Sequence, residues 1–210
     1  MFKWPGGNVY YRFDSTQVSN GTINPAKMQQ FRDSVAEWAA FANLSFNEFS
    51  GASPANYITV QQDPSLGGGF STSVGMGGGE QFVKIGPNFW SRGTVCHEVG
   101  HALGLFHEQQ RDDRDPYVVI NLANINAGDQ GNFTKLPGGT TAVGLYDFYS
   151  IMHYKRADLT NKAGTPNPNA PDPSIDTIDP TAPYVSFLNL MGNVYDRTLS
   201  KLDRAGMAAI

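Results

Sequence analysis

The chain has one cysteine, Cys96, so no disulfide can form within it and its core must hold by packing alone. Charge is also sparse: Asp, Glu, Lys and Arg make up 16% of the residues, and the net charge is −4. No basic stripe is present to neutralise phosphates, which excludes a nucleic-acid surface. No block of like charge marks an acidic or basic tail. No apolar run reaches the about 18 residues of a spanning helix, so no membrane partner is expected. The opening Met1-Phe2-Lys3-Trp4-Pro5 lacks the regions of a signal peptide, and no repeat period occurs. With 210 residues, 40% of them hydrophobic, the chain can bury a core as one domain of two lobes, an upper lobe of about 1–104 and a lower lobe of about 105–210.

The upper half alternates strand and helix signals. Asn8 to Phe13 is aromatic and β-branched, as a strand requires. Asn24-Pro25 offers an N-cap followed by proline at the first helical position. Met28, Phe31, Val35, Trp38 and Ala42 follow at spacings of three and four, one face of a long helix. Leu44 to Phe49, Tyr57 to Val60 and Gln81 to Ile85 read as further strands. Between 67 and 79 lie seven glycines around Phe70-Ser71-Thr72-Ser73-Val74, a short strand between loops. No GK[ST] follows them, so they are not a phosphate-binding loop. A second helix is expected to begin near Thr94. Asn161 to Pro183 is dense in Pro, Asn, Asp and Thr and reads as ordered loop. A last helix spans Ser200 to Ile210, with Ser200 as cap and Asp203 in the place of the usual capping-box glutamate.

Three of the four histidines fall within eleven residues, His97-Glu98-Val99-Gly100-His101-Ala102-Leu103-Gly104-Leu105-Phe106-His107. On a helix, His97 and His101 share a face, so both imidazoles can reach one metal ion. Imidazole nitrogen suits zinc, and a catalytic zinc takes three protein ligands and leaves one position open. His107 lies ten residues past His97, about 15 Å along a continuous helix, so the helix must stop and the chain turn back. Gly104 stands where that break is needed, because glycine takes a left-handed C-terminal conformation at little cost. Glu98 is a poor ligand but is placed to accept a proton from water activated by the metal. By average composition, HExxH alone arises by chance in roughly one chain in a few hundred, and HExxH with the glycine and third histidine in register in on the order of one in 100,000. A structural zinc staple would more often have four protein ligands, so the pattern favours chemistry over a binding module.

About 45 residues past His107, Ser150-Ile151-Met152-His153-Tyr154 has the form of the methionine turn that accompanies this zinc motif. The run HExxHxxGxxHExxRxDRD, with Glu108, Arg111, Asp113, Arg114 and Asp115 in register, resembles the astacin signature, and Tyr146 to Tyr154 resembles its methionine-turn stretch. Trp4 to Tyr11, Gly78-Gly79-Glu80-Gln81, Asp115-Pro116-Tyr117-Val118 and Leu199-Ser200 with Asp203 extend the likeness over almost the whole chain. The chain is thus similar to the astacin family of zinc metalloendopeptidases, in the metzincin clan, as a bacterial-type member without the usual disulfides. Asn43 and Phe70 stand where the family has cysteine, and Phe70-Ser71 replaces Cys-Trp before the substrate-binding edge strand.

The resemblance implies an α+β metzincin fold: a mixed, twisted sheet with two long helices in the upper lobe, and a mostly irregular lower lobe with a C-terminal helix. It implies one catalytic Zn²⁺ on His97, His101 and His107, and hydrolysis of internal peptide bonds of proteins by a zinc-bound water activated by Glu98. Tyr154 is then the tyrosine that contacts zinc at rest and swings away to stabilise the oxyanion. Substrates are proteins or peptides, paired with the sheet edge near residues 70–76. A secreted monomer is implied, made as a zymogen whose propeptide blocks the site intramolecularly, so that Met1 is not the terminus of the active form. Glu108 would reach the new amino terminus, or else face water or pair with Arg111 or Arg114. Cys96 is expected as a small buried residue, His153 as structural, and the Arg111–Asp115 cluster as a network that fixes a loop.

Overall fold

Alternation decides the first strand. In the computed structural model, which describes residues 3–137, 143–155, 158–159, 175–177 and 198–209, β1 (Asn8–Phe13) buries Val9, Tyr11 and Phe13 and exposes Asn8 and Tyr10. It joins β2 (Ser45–Glu48), β3 (Asn56–Gln62), β4 (Gly69–Ser71) and β5 (Gly79–Ile85) in one sheet of order β2-β1-β3-β5-β4. All pairs are parallel except β4 with β5, which leaves β4 as an antiparallel edge. The central strand β3 buries Tyr57 through Val60 without alternation, as expected of a strand covered on both faces.

A short helix α1 (Ser15–Ser19) leads to α2 (Pro25–Ala39). Asn24 caps α2 as its sequence predicts, its side chain accepting from the Lys27 amide at 3.0 Å with Pro25 at the first turn. Of the expected face, Phe31, Val35 and Trp38 are buried, whereas Met28 is only half-buried and the helix ends before Ala42. Phe31 packs on Tyr11 and Phe13 of β1, with ring centroids 5.0 and 5.6 Å apart. The next helix, α3 (Arg92–Leu103), begins two residues ahead of Thr94 because Ser91 caps it, accepting from the Thr94 amide at 3.2 Å. Val95, Cys96, Val99, Ala102 and Leu103 are its core residues.

By internal contact the chain forms two compact units, Met1–Phe106 with Tyr195–Ile210, and His107–Val194. The C-terminal helix α4 (Lys201–Ala209), which its place in the sequence put with the second half, belongs to the first unit. The Leu199 amide just before it donates to the Glu37 carboxylate of α2 at 3.0 Å. Its capping box closes as expected, with the Asp203 amide donating to Ser200 Oγ at 2.8 Å and the Ser200 amide to Asp203 Oδ2 at 2.9 Å.

The second unit is mostly irregular among its described residues: short 3-10 turns at Glu108–Gln110, Leu122–Asn124 and Ala127–Phe133, and one ladder. That ladder pairs β6 (Val118–Ile120) antiparallel with β7 (Ile175–Thr177), which corrects the loop reading at those three positions. The rest of that expected loop lies outside the described residues. Val118, Ile125, Phe133, Tyr146 and Phe148 make its core, with Tyr117 stacked on Tyr146 at 4.8 Å. Arg111 binds Asp113 at 2.8 and 2.9 Å, Glu108 at 3.1 Å and the Gly144 carbonyl at 3.0 Å. Arg114 donates to the carbonyls of Gln109 and Phe133. The arginines therefore fix loops, as their clustering suggests.

Candidate metal centre

Helix α3 is held at both ends and in its middle by side chains from distant parts of the first unit. The Trp38 indole donates to the Cys96 carbonyl at 3.1 Å, and the Trp4 indole to the Ala102 carbonyl at 2.8 Å. Arg92, in the first turn, is bound by the buried Glu37 at 2.7 Å. The Cys96 thiol is buried, 3.9 Å from the Ser34 carbonyl and 3.7 Å from Glu37 Oε2, and burial pushes it up to about 12, so it stays a protonated packing group.

The helix stops at Gly104, whose φ is +117°. The Leu105 amide bonds to the Gly100 carbonyl at 2.9 Å and the Gly104 amide to His101 at 2.9 Å, the paired bonds of a Schellman end. Two residues on, the chain presents His107. The candidate ligand nitrogens of His97, His101 and His107 all lie within 4.8 Å of one another. Imidazole nitrogen is a common zinc ligand, and these three donors are close enough to one another to share one ion. The Leu105 carbonyl lies 2.8 Å from His101 Nδ1, and Gln110 Oε1 lies 3.2 Å from His107 Nδ1. Both contacts fix the ring and leave Nε2 for a metal. Burial, with His97 beside it, holds the His101 imidazole down to about 3, so it is neutral with a lone pair available at pH 7. The three histidines thus fit one metal ion.

Glu98 is not part of the ligand cluster and is only 5% exposed. Loss of solvent pushes its carboxyl up to about 8, opposed by the nearby Ser71 backbone. Such a group holds or releases a proton near neutral pH, as a general base must.

Within the second unit, the Tyr154 ring lies 4.3 Å from the His107 ring, centroid to centroid, and 5.5 Å from Phe133. The buried Gln109 accepts from the Tyr154 amide at 3.0 Å. The Met152 carbonyl accepts from the Glu108 amide at 3.1 Å, which ties the methionine turn to the residue after the third histidine. His153 is fully buried, its Nε2 2.8 Å from the Tyr146 hydroxyl and its Nδ1 2.6 Å from the Tyr154 carbonyl. Glu108 Oε1 accepts from Arg111 at 3.1 Å and from the Asp147 amide at 2.8 Å. Arginine pairing, one of the alternatives open from the sequence, is what forms.

Several groups here escape sequence reasoning: the Leu105 carbonyl, Gln109, Gln110 and the Ser71 backbone. Their roles are made by backbone atoms or by partners across loops, and no spacing rule signals them. The sequence profile of the peptidase family described as Astacin matches residues 1–203. Tolloid-like protein 1 of Mus musculus is 36% identical over 156 residues, 73% of this chain and 14% of that protein. Zinc metalloproteinase nas-32 of Caenorhabditis elegans is 34% identical over 171 residues, 81% of this chain and 24% of that protein. The chain therefore spans a quarter or less of these curated relatives. Among solved structures, high choriolytic enzyme 1, a hatching enzyme zinc-protease from Oryzias latipes, superposes with a TM-score of 0.73 at 26% identity, covering 98% of this chain and 90% of that one.

Proposed function

The chain belongs to the astacin family, and from that membership we propose that it is a zinc-dependent endopeptidase that cleaves internal peptide bonds of proteins. The observation that carries the reading is the histidine triad within 4.8 Å with the nearly buried Glu98 beside it. His97, His101 and His107 would hold the zinc. When bound, that ion would polarise the scissile carbonyl and lower the pKa of the attacking water towards neutrality.

Glu98 takes a proton from the attacking water and later hands it to the departing amine. The Tyr154 phenol donates a hydrogen bond to the developing oxyanion, a role supported by its contact with the His107 ring. Substrate adds as a strand to the free edge at β4, where Phe70 is 51% exposed. We extend the proposal to an exported monomer kept latent by a propeptide, on the strength of family membership.

Chelation tests the core reading. Removal of zinc is expected to abolish cleavage of casein, and about one equivalent of zinc to restore it. Cleavage that survives complete chelation contradicts it. Amino-terminal sequencing of active protein from its native source tests the propeptide, which an active form beginning at Met1 would refute.

A further inference from the structure

Gly75, Gly78 and Gly79 in the glycine-rich segment have positive φ, so their backbone explains them. Gly69 does not share that conformation, and its reason is spatial. A Cβ at Gly69 would stand 2.5 Å from both Cγ and Oε1 of Glu98, well inside van der Waals contact. The hydrogen bonds of the edge add a second link. Gly68 accepts from Gly86 at 2.8 Å, and Thr72 donates to Phe82 at 3.0 Å, with Phe70 opposite Lys84. Even-numbered residues therefore spend their backbone groups on β5, and Gly69 and Ser71 turn theirs to the free edge. Ser71 is in that outward-facing set, and its backbone lies near enough to the Glu98 carboxyl to oppose the upward push of burial.

We propose that Gly69 and the Ser71 amide are positioning elements for Glu98: the edge strand that receives substrate also fixes where the carboxylate stands, Gly69 by leaving room and Ser71 by anchoring it. The proposal rests on the reading of Glu98 as general base. It assigns one strand two tasks, so the register of a paired substrate and the place of the base are set together.

The test is Gly69→Ala in the zinc-loaded protein, with amide exchange read by NMR and peptide hydrolysis measured alongside. Exchange of the Ser71 amide should accelerate by about tenfold or more, as for an amide released from a buried acceptor, while the Thr72 amide keeps its protection. The kcat should fall by about a hundredfold, the cost of roughly 1 Å of misplacement, with KM, zinc content and Tm nearly unchanged. In a Glu98→Ala background, which removes the clashing Cγ together with the carboxylate, the same substitution should change Ser71 exchange and Tm no further.

Unchanged Ser71 exchange or unchanged kcat overturns the proposal. So does a loss of kcat that comes with loss of zinc and Tm. If Gly69→Ala does not fold, Glu98→Ala decides through Ser71 exchange alone: lost protection supports the anchor, and retained protection refutes it. Glu98→Gln, run in parallel, separates the two readings. An active Glu98→Gln defeats the base itself, whereas an inactive one beside a fully active Gly69→Ala defeats only the positioning.

Discussion

Replacing Gly104 with alanine tests the argument that joins helix end to metal site. At φ +117° a Cβ meets the following carbonyl, and the left-handed region costs an L-residue roughly 1–2 kcal/mol. Two bonds depend on this conformation, Leu105 to Gly100 and Gly104 to His101, and Leu105 in turn holds the His101 ring through its carbonyl. The metal-free protein can respond in two ways. It can keep the turn and lose about 1–2 kcal/mol of stability, or relax the turn and keep its stability. In the second case zinc binding must rebuild the turn, and Kd rises by about 5- to 30-fold. The two losses are complementary, so their sum in the zinc-bound protein stays near about 1–2 kcal/mol whichever way the cost divides. Urea unfolding of the metal-free protein gives the first part, and chelator competition gives the second. Gly128→Ala, at an exposed position with open space for a Cβ and no positive φ, is the control, expected within about 0.5 kcal/mol of wild type. Gly104→Ala with unchanged stability and unchanged zinc affinity would refute the reasoning.

Two further predictions concern Tyr154 and Glu98. Tyr154→Phe should lower kcat with little change in KM if the hydroxyl acts in the transition state as proposed; steady-state kinetics showing a pure KM effect would make Tyr154 a ground-state binding group instead. In the metal-free protein, Glu98 keeps its proton to about 8 when folded but loses it near the ordinary value of 4.5 when unfolded. Its folded pKa is raised, so the folded state binds more protons between those values and stability falls as pH rises through that window. Glu98→Gln should remove this slope and be the more stable protein by a few kcal/mol above about pH 8. Parallel pH dependences in urea unfolding would contradict that environment for Glu98.

The sequence-legible parts are those whose cause is local. Asn24-Pro25 caps α2, Ser200 and Asp203 cap α4, and the spacing from His97 through Gly104 to His107 already implies the turn that forms. The start of α3 falls two residues ahead of Thr94 because Ser91 lies before the apolar face, and only its bond to the Thr94 amide marks it as a cap. Strand β7 is invisible in a proline-rich stretch: three residues carry no period, and the partner β6 is more than fifty residues away. The grouping of α4 with the first unit comes from distant contacts, among them the Leu199 amide on Glu37 and Arg204 over the Phe41 ring, and no local pattern encodes it. Gly69 reads as one glycine among seven until Glu98 is seen beside its missing side chain.

The central claim is that three histidines hold the ion and Glu98 moves the proton. Glu98→Gln separates these tasks, because it leaves the ligands intact and replaces the base with an amide of the same shape. Zinc content by mass spectrometry and peptide hydrolysis on the same sample should give about one zinc per chain with a rate lowered by about 10²–10⁴-fold. A variant that binds zinc and retains more than about a tenth of the wild-type rate would contradict the account.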